Sequence, residues 1–457
     1  MLPKIGASYS LTNNLVMRGG WGLYRALGFE LGGTSTWDTT TSYNYSLDDG
    51  LTPDLAFASG IPFPNGFTTP PGDTNGLASG DGDGIWADSW ARKIPYAQQF
   101  SFGFQGEARG GIVWDVEFVG AHTVDLRAGS QKDHITPAQF VQGQQTPSYL
   151  DQQIANPFYG NSLIPVSAYL GSHTTVPVRE MMATMPQYDS QYGPEEWEWN
   201  TPWGYSNYTS LVAKAEKRFS GSGLLSNGLN FTAAFTWGKV ISATGLLNNG
   251  FLVDPGPFYG IDGSDRPFLF SFGGNYKLPI GKGGMLLNDA HGFLDEIIGG
   301  WQLNWIVNDQ SGSPINYPNG MLDTCGTYNI KPAHKSWGSY LNNAGPTCFT
   351  GFPEYTAITQ GPLSVAVRSP WAEQSQVAIQ KQFTLTEKSK LQFRAEAFNL
   401  TNTPIFNGPN TNNPGSAIQQ VAAIPTNLPG AYTGYGTVGT STQNSPRQLQ
   451  LSLKVLF

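Results

Sequence analysis

RQLQLSLKVLF, residues 447–457, ends the chain and decides its fold class. Every second residue from Leu449 to Phe457 is apolar, and Gln448, Gln450, Ser452 and Lys454 fall on the opposite face. Successive side chains of a β-strand point to opposite faces, so this pattern predicts a strand with one apolar and one polar face. Its length fits the roughly 9–11 residues of a tilted strand that crosses an outer membrane.

The same period of two recurs along the rest of the chain and predicts about eleven strands in all. The predicted strands are residues 3–11, 15–24, 99–105, 112–118, 208–219, 229–237, 268–278, 301–308, 376–383, 391–400 and 447–457. Strands of a soluble sandwich alternate in the same way. Alternation alone therefore leaves the fold class open between a soluble and a membrane β-protein.

Charged side chains fall on the polar face at the same level as large apolar neighbours. They are Asp115, Glu117, Lys214, Glu216, Arg218, Arg394 and Glu396. A charge that faced lipid at mid-depth would cost about 2–4 kcal/mol, so a membrane barrel must direct charges to its lumen. This segregation favours an all-β, transmembrane antiparallel β-barrel.

The connections between the predicted strands alternate between short and long. Long connections occupy residues 25–94, 123–204, 243–265, 312–373 and 401–446. Short periplasmic turns and long extracellular loops are typical of outer-membrane barrels. One connection on the short side, residues 279–298, is longer, and we expect a short helix near 292–297. The chain then ends in the periplasm, and its odd strand count predicts a preceding segment, because single-chain bacterial barrels have even counts.

Composition agrees with a β-rich chain that meets a medium other than water. Charged residues are 13% of the chain, against about 25% in a typical soluble protein. Net charge is −8 and no basic face is apparent, so we expect no nucleic-acid partner. The start, MLPKIGASYS, lacks the features of a signal peptide, and we expect the export signal upstream of Met1.

Candidate sites are few, and no catalytic constellation is apparent. The five histidines are scattered and no nucleophile or zinc-protease motif occurs, which predicts a protein that is not an enzyme. Asp81, Asp83 and Asp88 form a Gly-rich acidic stretch that either binds calcium or is a solvated turn. No other cofactor is expected. Cys325 and Cys348 lie in one loop and are either a disulfide, as an oxidising compartment favours, or two free thiols.

The segment 187–208 is rich in aromatic residues and glutamates, and we expect it to be a loop. Its candidate ligand-binding residues are Tyr188, Tyr192, Trp197, Trp199 and Trp203. Exposed aromatic rings stack on sugars and amphipathic ligands. The alternative is that these rings pack within the loop itself. The luminal charges likewise either contact a plug or ligand, or form charge ladders between strands.

Several motifs resemble the barrels of TonB-dependent receptors. They are GASYSLTNNLVMRGGWGLY (6–24), SLVAKAEKRFSGS (210–222), FTAAFTWGK (231–239), DRPFLFSFGGNYKLPIGKG (265–283), GGWQLNWIVNDQSGSPIN (299–316) and LQFRAEAFNLTNTPIFNGPN (391–410). Their order resembles the Oar-like receptors that carry a carboxypeptidase-regulatory-like module. The resemblance implies that residues 1–457 are the C-terminal part of the barrel, about eleven of roughly 22 strands. It also implies that the plug and the N-terminal regulatory-like domain lie outside this segment.

The resemblance implies a function in the outer membrane of a bacterium. In that family the plug occludes the lumen, TonB supplies the energy, and the barrel-assembly machinery reads a C-terminal residue that matches Phe457. We therefore predict an outer-membrane receptor fragment for uptake of a scarce nutrient: a siderophore, a carbohydrate or a peptide. The alternatives are a passive porin or channel, and a secreted soluble β-rich glycan-binding protein or enzyme.

Overall fold

Alternating segments of the sequence become neighbouring strands of one antiparallel sheet in the computed structural model. The structure describes residues 2–25, 41, 52, 63, 66–70, 72–82, 84–91, 93–164, 166, 168–190, 193–194, 196–218, 228–246, 257–316, 321–323, 330–342, 349–351, 355, 363–412, 418–422 and 424–457. Among these residues, no helix has the length and apolarity that crossing a bilayer requires.

Within the described residues, eleven strands follow one another across the sheet in chain order, and each pairs antiparallel with the next. We call them the wall strands: β1 (Lys4–Thr12), β2 (Leu15–Arg25), β3 (Tyr96–Ala108), β4 (Ile112–Gln131), β5 (Glu196–Lys217), β6 (Leu229–Leu246), β7 (Phe268–Lys277), β8 (Gln302–Gln310), β9 (Ala372–Thr384), β10 (Lys390–Phe398) and β11 (Gln448–Leu456). Each overlaps one of the eleven predicted strands, so the predicted barrel wall is confirmed.

The wall has an apolar outer face, as the alternation predicts. The cross-strand register places Leu451 beside Ala395, and Ala395 beside Ile379. On β11 the side chain of Leu451 is 73% exposed, and Leu449 and Leu453 beside it are similarly uncovered. These rows therefore do not pack against a second sheet among the described residues, which excludes a sandwich interior.

Several wall strands are longer than the sequence predicts, and β4 and β5 extend furthest. The region 123–204 was expected to be a loop, but β4 continues to Gln131 and β5 already begins at Glu196. Their ladder runs on past the alternating region with register shifts between Glu198 and Ser206. The expectation was wrong because strands beyond the bilayer pair through their backbones and need no apolar alternation.

The long connections contain short elements. The helices are Pro137–Gln145, Pro147–Leu150, Tyr169–Ser172 and Val178–Met181, with 3-10 turns at Gly76–Ala78 and Pro186–Tyr188. The short strands are Ile85–Asp88, Gln153–Ala155, Thr175–Pro177, Asp189–Ser190, Gly193–Pro194, Pro257–Ile261, Pro314–Asn316, Met321–Asp323, Phe349–Gly351, Leu363–Arg368, Gln419–Gln420 and Tyr432–Thr433. On the side of the short turns, the predicted helix is confirmed at Phe293–Ile298.

Dry cores lie in the long connections rather than in the wall. One cluster packs Leu341, Val367 and Tyr435, and two others centre on Leu150 and Leu170. The first cluster joins segments from two different connections, since Leu341 and Val367 precede β9 whereas Tyr435 follows β10. The loops therefore form a folded layer above the barrel wall.

The sheet is open at both ends in the described residues. β1 pairs with β2, and β11 pairs with β10, but no ladder joins β1 to β11. All nine residues of β1 are exposed. Lipid cannot satisfy unpaired backbone groups. The further strands that would complete a closed barrel stay a prediction.

Candidate functional site

The inner face of the wall carries a first polar cluster on β2 to β5. The Arg18 guanidinium forms an ion pair with Asp115, and its other terminal nitrogen donates to Gln105 Oε1 at 3.4 Å. Glu117 lies 4.0 Å from Arg18, and Lys214 is the register partner of Asp115 on the next strand. Arg18 and Asp115 thus pair across strands, whereas Arg394 pairs with Glu396 along one strand, so a charge ladder among the predicted luminal charges stays a prediction. Arg18 was missed, because its partnership with Asp115 requires the register of three strands.

A second cluster is a row of side-chain amides that crosses β8, β9 and β10. Gln392 Nε2 donates to Gln380 Oε1 at 3.3 Å, and Gln380 Nε2 donates to Gln302 Oε1 at 3.1 Å. Gln302 in turn donates to Asn304 Oδ1 at 3.2 Å. We call these four residues the amide ladder. Each amide group carries both a donor and an acceptor, so the row presents a hydrogen-bonding surface without net charge.

Beside the amide ladder, polar atoms remain without hydrogen-bond partners. Arg394 donates to Glu396 Oε1 at 2.5 Å, but its Nε has no acceptor in the described structure. Asn275 Oδ1 and Asn304 Nδ2 are likewise buried without partners. All four residues line a cavity of about 270 Å³. Buried polar atoms are costly unless satisfied, so this cavity is suited to water, a plug side chain or a polar ligand.

The predicted aromatic ligand site is only partly described. Tyr188 ends a 3-10 turn, Tyr192 lies outside the described residues, and Trp197, Trp199 and Trp203 belong to β5. The expectation of a loop is therefore wrong from Glu196 onward, where the ladder with β4 continues. Trp203 is half-buried under the Lys132 ammonium, 5.3 Å from its ring centre. The binding role of these five residues stays a prediction.

One aromatic pair beside this region was not predicted. Tyr205 stacks on Tyr259 with ring centres 5.3 Å apart, and Asn207 donates to the Tyr259 hydroxyl at 3.4 Å. Tyr259 belongs to the strand Pro257–Ile261, which pairs with β6. Too few residues alternate there for the sequence to show a strand.

The calcium site also stays a prediction. Asp81 lies in a turn and Asp88 ends the strand Ile85–Asp88, whereas Asp83 lies outside the described residues. Burial raises the pKa of Asp81, and its Oδ1 has no hydrogen-bond partner. Within the described part of the chain, no three acidic, cysteine or histidine side chains form a metal-binding group.

Both cysteines of the predicted disulfide lie outside the described residues. Their described neighbours are close in the fold, because Met321–Asp323 pairs with Phe349–Gly351 and places Asp323 opposite Phe349. The Cys325–Cys348 bond stays a prediction that this pairing favours.

A comparison with protein families matches residues 1–450 to the outer membrane beta barrel domain. The chain belongs to this outer-membrane β-barrel family. The chain therefore lies in the bacterial outer membrane. The family consists of membrane barrels, not enzymes. The alternative of a secreted soluble glycan-binding protein or enzyme is therefore wrong.

A search of curated proteins gives no match to this barrel. Among solved structures, it is similar to the outer membrane transporter YddB from Escherichia coli, at 10% identity, TM-score 0.40, and 99% and 40% coverage of the two chains. It is also similar to the ferripyoverdine receptor of Pseudomonas aeruginosa bound to ferripyoverdine (10%, 0.36, 100% and 32%) and to the ferric citrate transporter FecA (10%, 0.37, 100% and 38%). The barrel thus spans 32–40% of the length of these three structures.

Proposed function

We propose that the chain forms part of the barrel of a TonB-dependent receptor that takes up a scarce nutrient. The observation that carries the proposal is the inner wall, where the amide ladder ends at a cavity that Asn304, Arg394 and Glu396 line and that contains unsatisfied donors and acceptors. The ordered motifs that resemble TonB-dependent receptors support energised uptake rather than passive flow. We expect the plug and the contact with TonB in the full-length protein.

The chemistry of this wall favours a polar ligand rich in hydrogen-bonding groups. The amide ladder offers donors and acceptors in one row, and amide side chains bind neutral hydroxyl and carbonyl groups without requiring a charge. Siderophores, oligosaccharides and peptides all present such groups. The folded layer of long loops stands where a ligand from outside would first make contact.

The test is uptake by cells that produce the full-length protein and lack their own receptors. Radiolabelled siderophores, oligosaccharides and peptides are supplied with TonB either present or deleted. We expect saturable uptake of one class that is lost without TonB. Uptake that persists without TonB, together with steady ion conductance in planar bilayers, would instead establish a passive channel.

A substitution in the amide ladder tests whether the inner wall takes part in transport. We expect Gln380→Leu to reduce uptake, because it breaks two side-chain hydrogen bonds and presents an apolar group to the lumen. Each such bond contributes roughly 0.5–1.5 kcal/mol, so a loss of several-fold to tenfold is expected. Ile379→Leu, on the lipid side of the same strand, is the matched control. Equal uptake by both variants, at equal amounts of folded barrel, would show that the ladder takes no part.

A further inference from the structure

One connection on the periplasmic side differs from its neighbours. Residues 13–14, 109–111 and 385–389 are short turns, whereas residues 278–301 join β7 to β8 with a helix, Phe293–Ile298. This connection exposes six large apolar side chains, with Phe293 81% uncovered. They are Met285, Leu286, Leu287, Phe293, Leu294 and Ile297. We call them the apolar rim segment.

The helix of this segment is attached to the lipid-facing side of the wall. Trp301 precedes Leu303 by two residues, and Leu303 pairs with Ile379 in the outer row. The Trp301 indole donates from Nε1 to the carbonyl oxygen of Ile297 at 2.8 Å. Since Trp301 points outward, the helix end that it binds lies outside the bore.

A second outward side chain makes the same attachment. Lys381 follows Ile379 by two residues on β9, so the two side chains share a face. Lys381 also pairs with Phe393, which places it in the outer row. Its ammonium donates to the carbonyl oxygen of Glu296 and lies 5.8 Å from the centre of the Trp301 ring. Two neighbouring outer residues thus bind the last turn of the helix.

The backbone of the segment is folded on itself, which leaves its apolar side chains free to project. The Gly281 and Leu286 amides donate to Leu286 and Pro279 carbonyl oxygens at 3.0 Å, and Asp295 Oδ1 accepts from the Lys282 amide at 2.6 Å. A short segment with internal backbone hydrogen bonds and uncovered apolar side chains matches a segment that lies in a membrane interface. Lysine and tryptophan side chains are also typical of that depth.

We propose that the apolar rim segment lies in the periplasmic leaflet of the outer membrane, with its apolar side chains among phospholipid chains. The occupant is lipid because the segment continues the outer apolar rows of β8 to β10, which the outer-membrane family places against lipid. The segment therefore anchors the rim of the barrel at a fixed depth. This role is separate from the transported ligand.

The test places a photoreactive benzoylphenylalanine at single positions of the full-length protein in intact outer membranes. Position 293 replaces an exposed aromatic side chain, so folding should be preserved, and position 297 provides a second site. Position 451 on the lipid-facing wall is the positive control, and position 386 in the short turn 385–389 is the matched periplasmic control. Mass spectrometry identifies what each probe captures after irradiation.

We expect phospholipid adducts at 293, 297 and 451, and their loss when the probe is moved to 386. Capture of a protein at 293 and 297 would overturn the proposal and show a docking site instead. Absence of any lipid adduct at these two positions, with normal capture at 451, would overturn it as well.

Discussion

Leucine is exposed in the barrel wall but buried in the folded layer of long connections, which we call the loop layer. Leu451 on β11 is 73% exposed, whereas Leu170 in the loop layer is 0% exposed. Family membership assigns the wall a lipid solvent, which accepts leucine, so the wall requires no dry interior of its own. The loops stand in water and must bury their apolar side chains against one another. Whether a leucine is buried thus depends on the surrounding medium, lipid or water, more than on the residue type.

The same difference extends to charge. On the inner face of the wall, charges meet charged partners, as Arg18 does with Asp115 across strands and Arg394 does with Glu396 along one strand. In the loop layer a charge is buried outright: Asp265 is fully covered and meets Arg368 at 2.5 Å. We expect single substitutions to affect one region and leave the other unchanged.

The largest effect is expected from Arg368→Met in the loop layer. Arg368 also donates to the carbonyl oxygens of Asp265 and Gly312 at 3.1 and 3.3 Å, so it joins two connections. Its loss leaves the buried Asp265 carboxylate without its ion-pair partner, at a cost of about 3–5 kcal/mol. Hydrogen exchange of the purified protein should increase at 257–267 and 363–371, with the wall strands unchanged except near Val240, whose amide donates to Asp265 Oδ1 at 2.7 Å.

The control for this substitution is Arg218→Met. Arg218 is 84% exposed and pairs with Glu216, so roughly 0–1 kcal/mol is expected. Equal exchange in the two variants would contradict the assigned importance of the buried pair.

Leucine truncation tests the comparison directly. Leu170→Ala removes a fully buried side chain that packs with Ile164 and Val176, at a cost of about 2–5 kcal/mol. Leu451→Ala should cost much less, because lipid chains fill the space and no cavity remains. Protease treatment of intact outer membranes should cleave 132–195 faster in the first variant only. Similar cleavage of both variants would mean that the wall and loops do not differ in this way.

An inserted charge distinguishes the two faces of the wall. Leu451→Arg places a charge in lipid and should destabilise the barrel by about 2–4 kcal/mol. The neighbouring Gln450→Arg points to the lumen beside Glu396, its register partner, and should be tolerated. The measure is the fraction of heat-modifiable folded barrel in outer-membrane preparations. If Gln450→Arg lowered this fraction as much as Leu451→Arg, the assignment of one face to lipid and the other to the lumen would be contradicted.

The sequence predicts the wall well because alternation is local. Every second residue from Leu449 to Phe457 shows its face without any knowledge of the neighbouring strands. The loop layer is different, since Tyr355 packs on Phe140 with ring centres 6.5 Å apart although the two residues are far apart in the chain. No period in either segment marks the other as its partner.

The candidate site lies between these two cases. The alternation of the sequence shows that Gln302 and Arg394 lie on the polar face, and it predicts that this face lines the lumen. The row that joins Gln302, Gln380 and Gln392 is not visible, because it depends on the register of three strands. The sequence therefore predicts which face carries the site but not which residues meet there.

The smallest expected effect concerns a buried carboxylate in the loop layer. Asp133 is fully covered, and burial raises its pKa, although a hydrogen bond from the Met185 amide at 2.7 Å opposes the shift. Its Oδ2 has no hydrogen-bond partner in the described structure. The folded loop therefore holds the Asp133 proton more tightly than the unfolded chain does. Its contribution to stability is full below the unfolded pKa of about 3.9 and is lost as pH rises through the folded pKa.

Asp133→Asn should remove this dependence, because the amide oxygen still accepts from Met185 without burying a charge. We expect a gain in loop stability at pH 7, which disappears as the pH is lowered toward 4. Proteolysis of 132–195 by an acid-tolerant protease across this pH range measures the difference, and exposed Asp289→Asn is the control. A variant that is less stable at pH 7 would show that the Asp133 charge stabilises the loop.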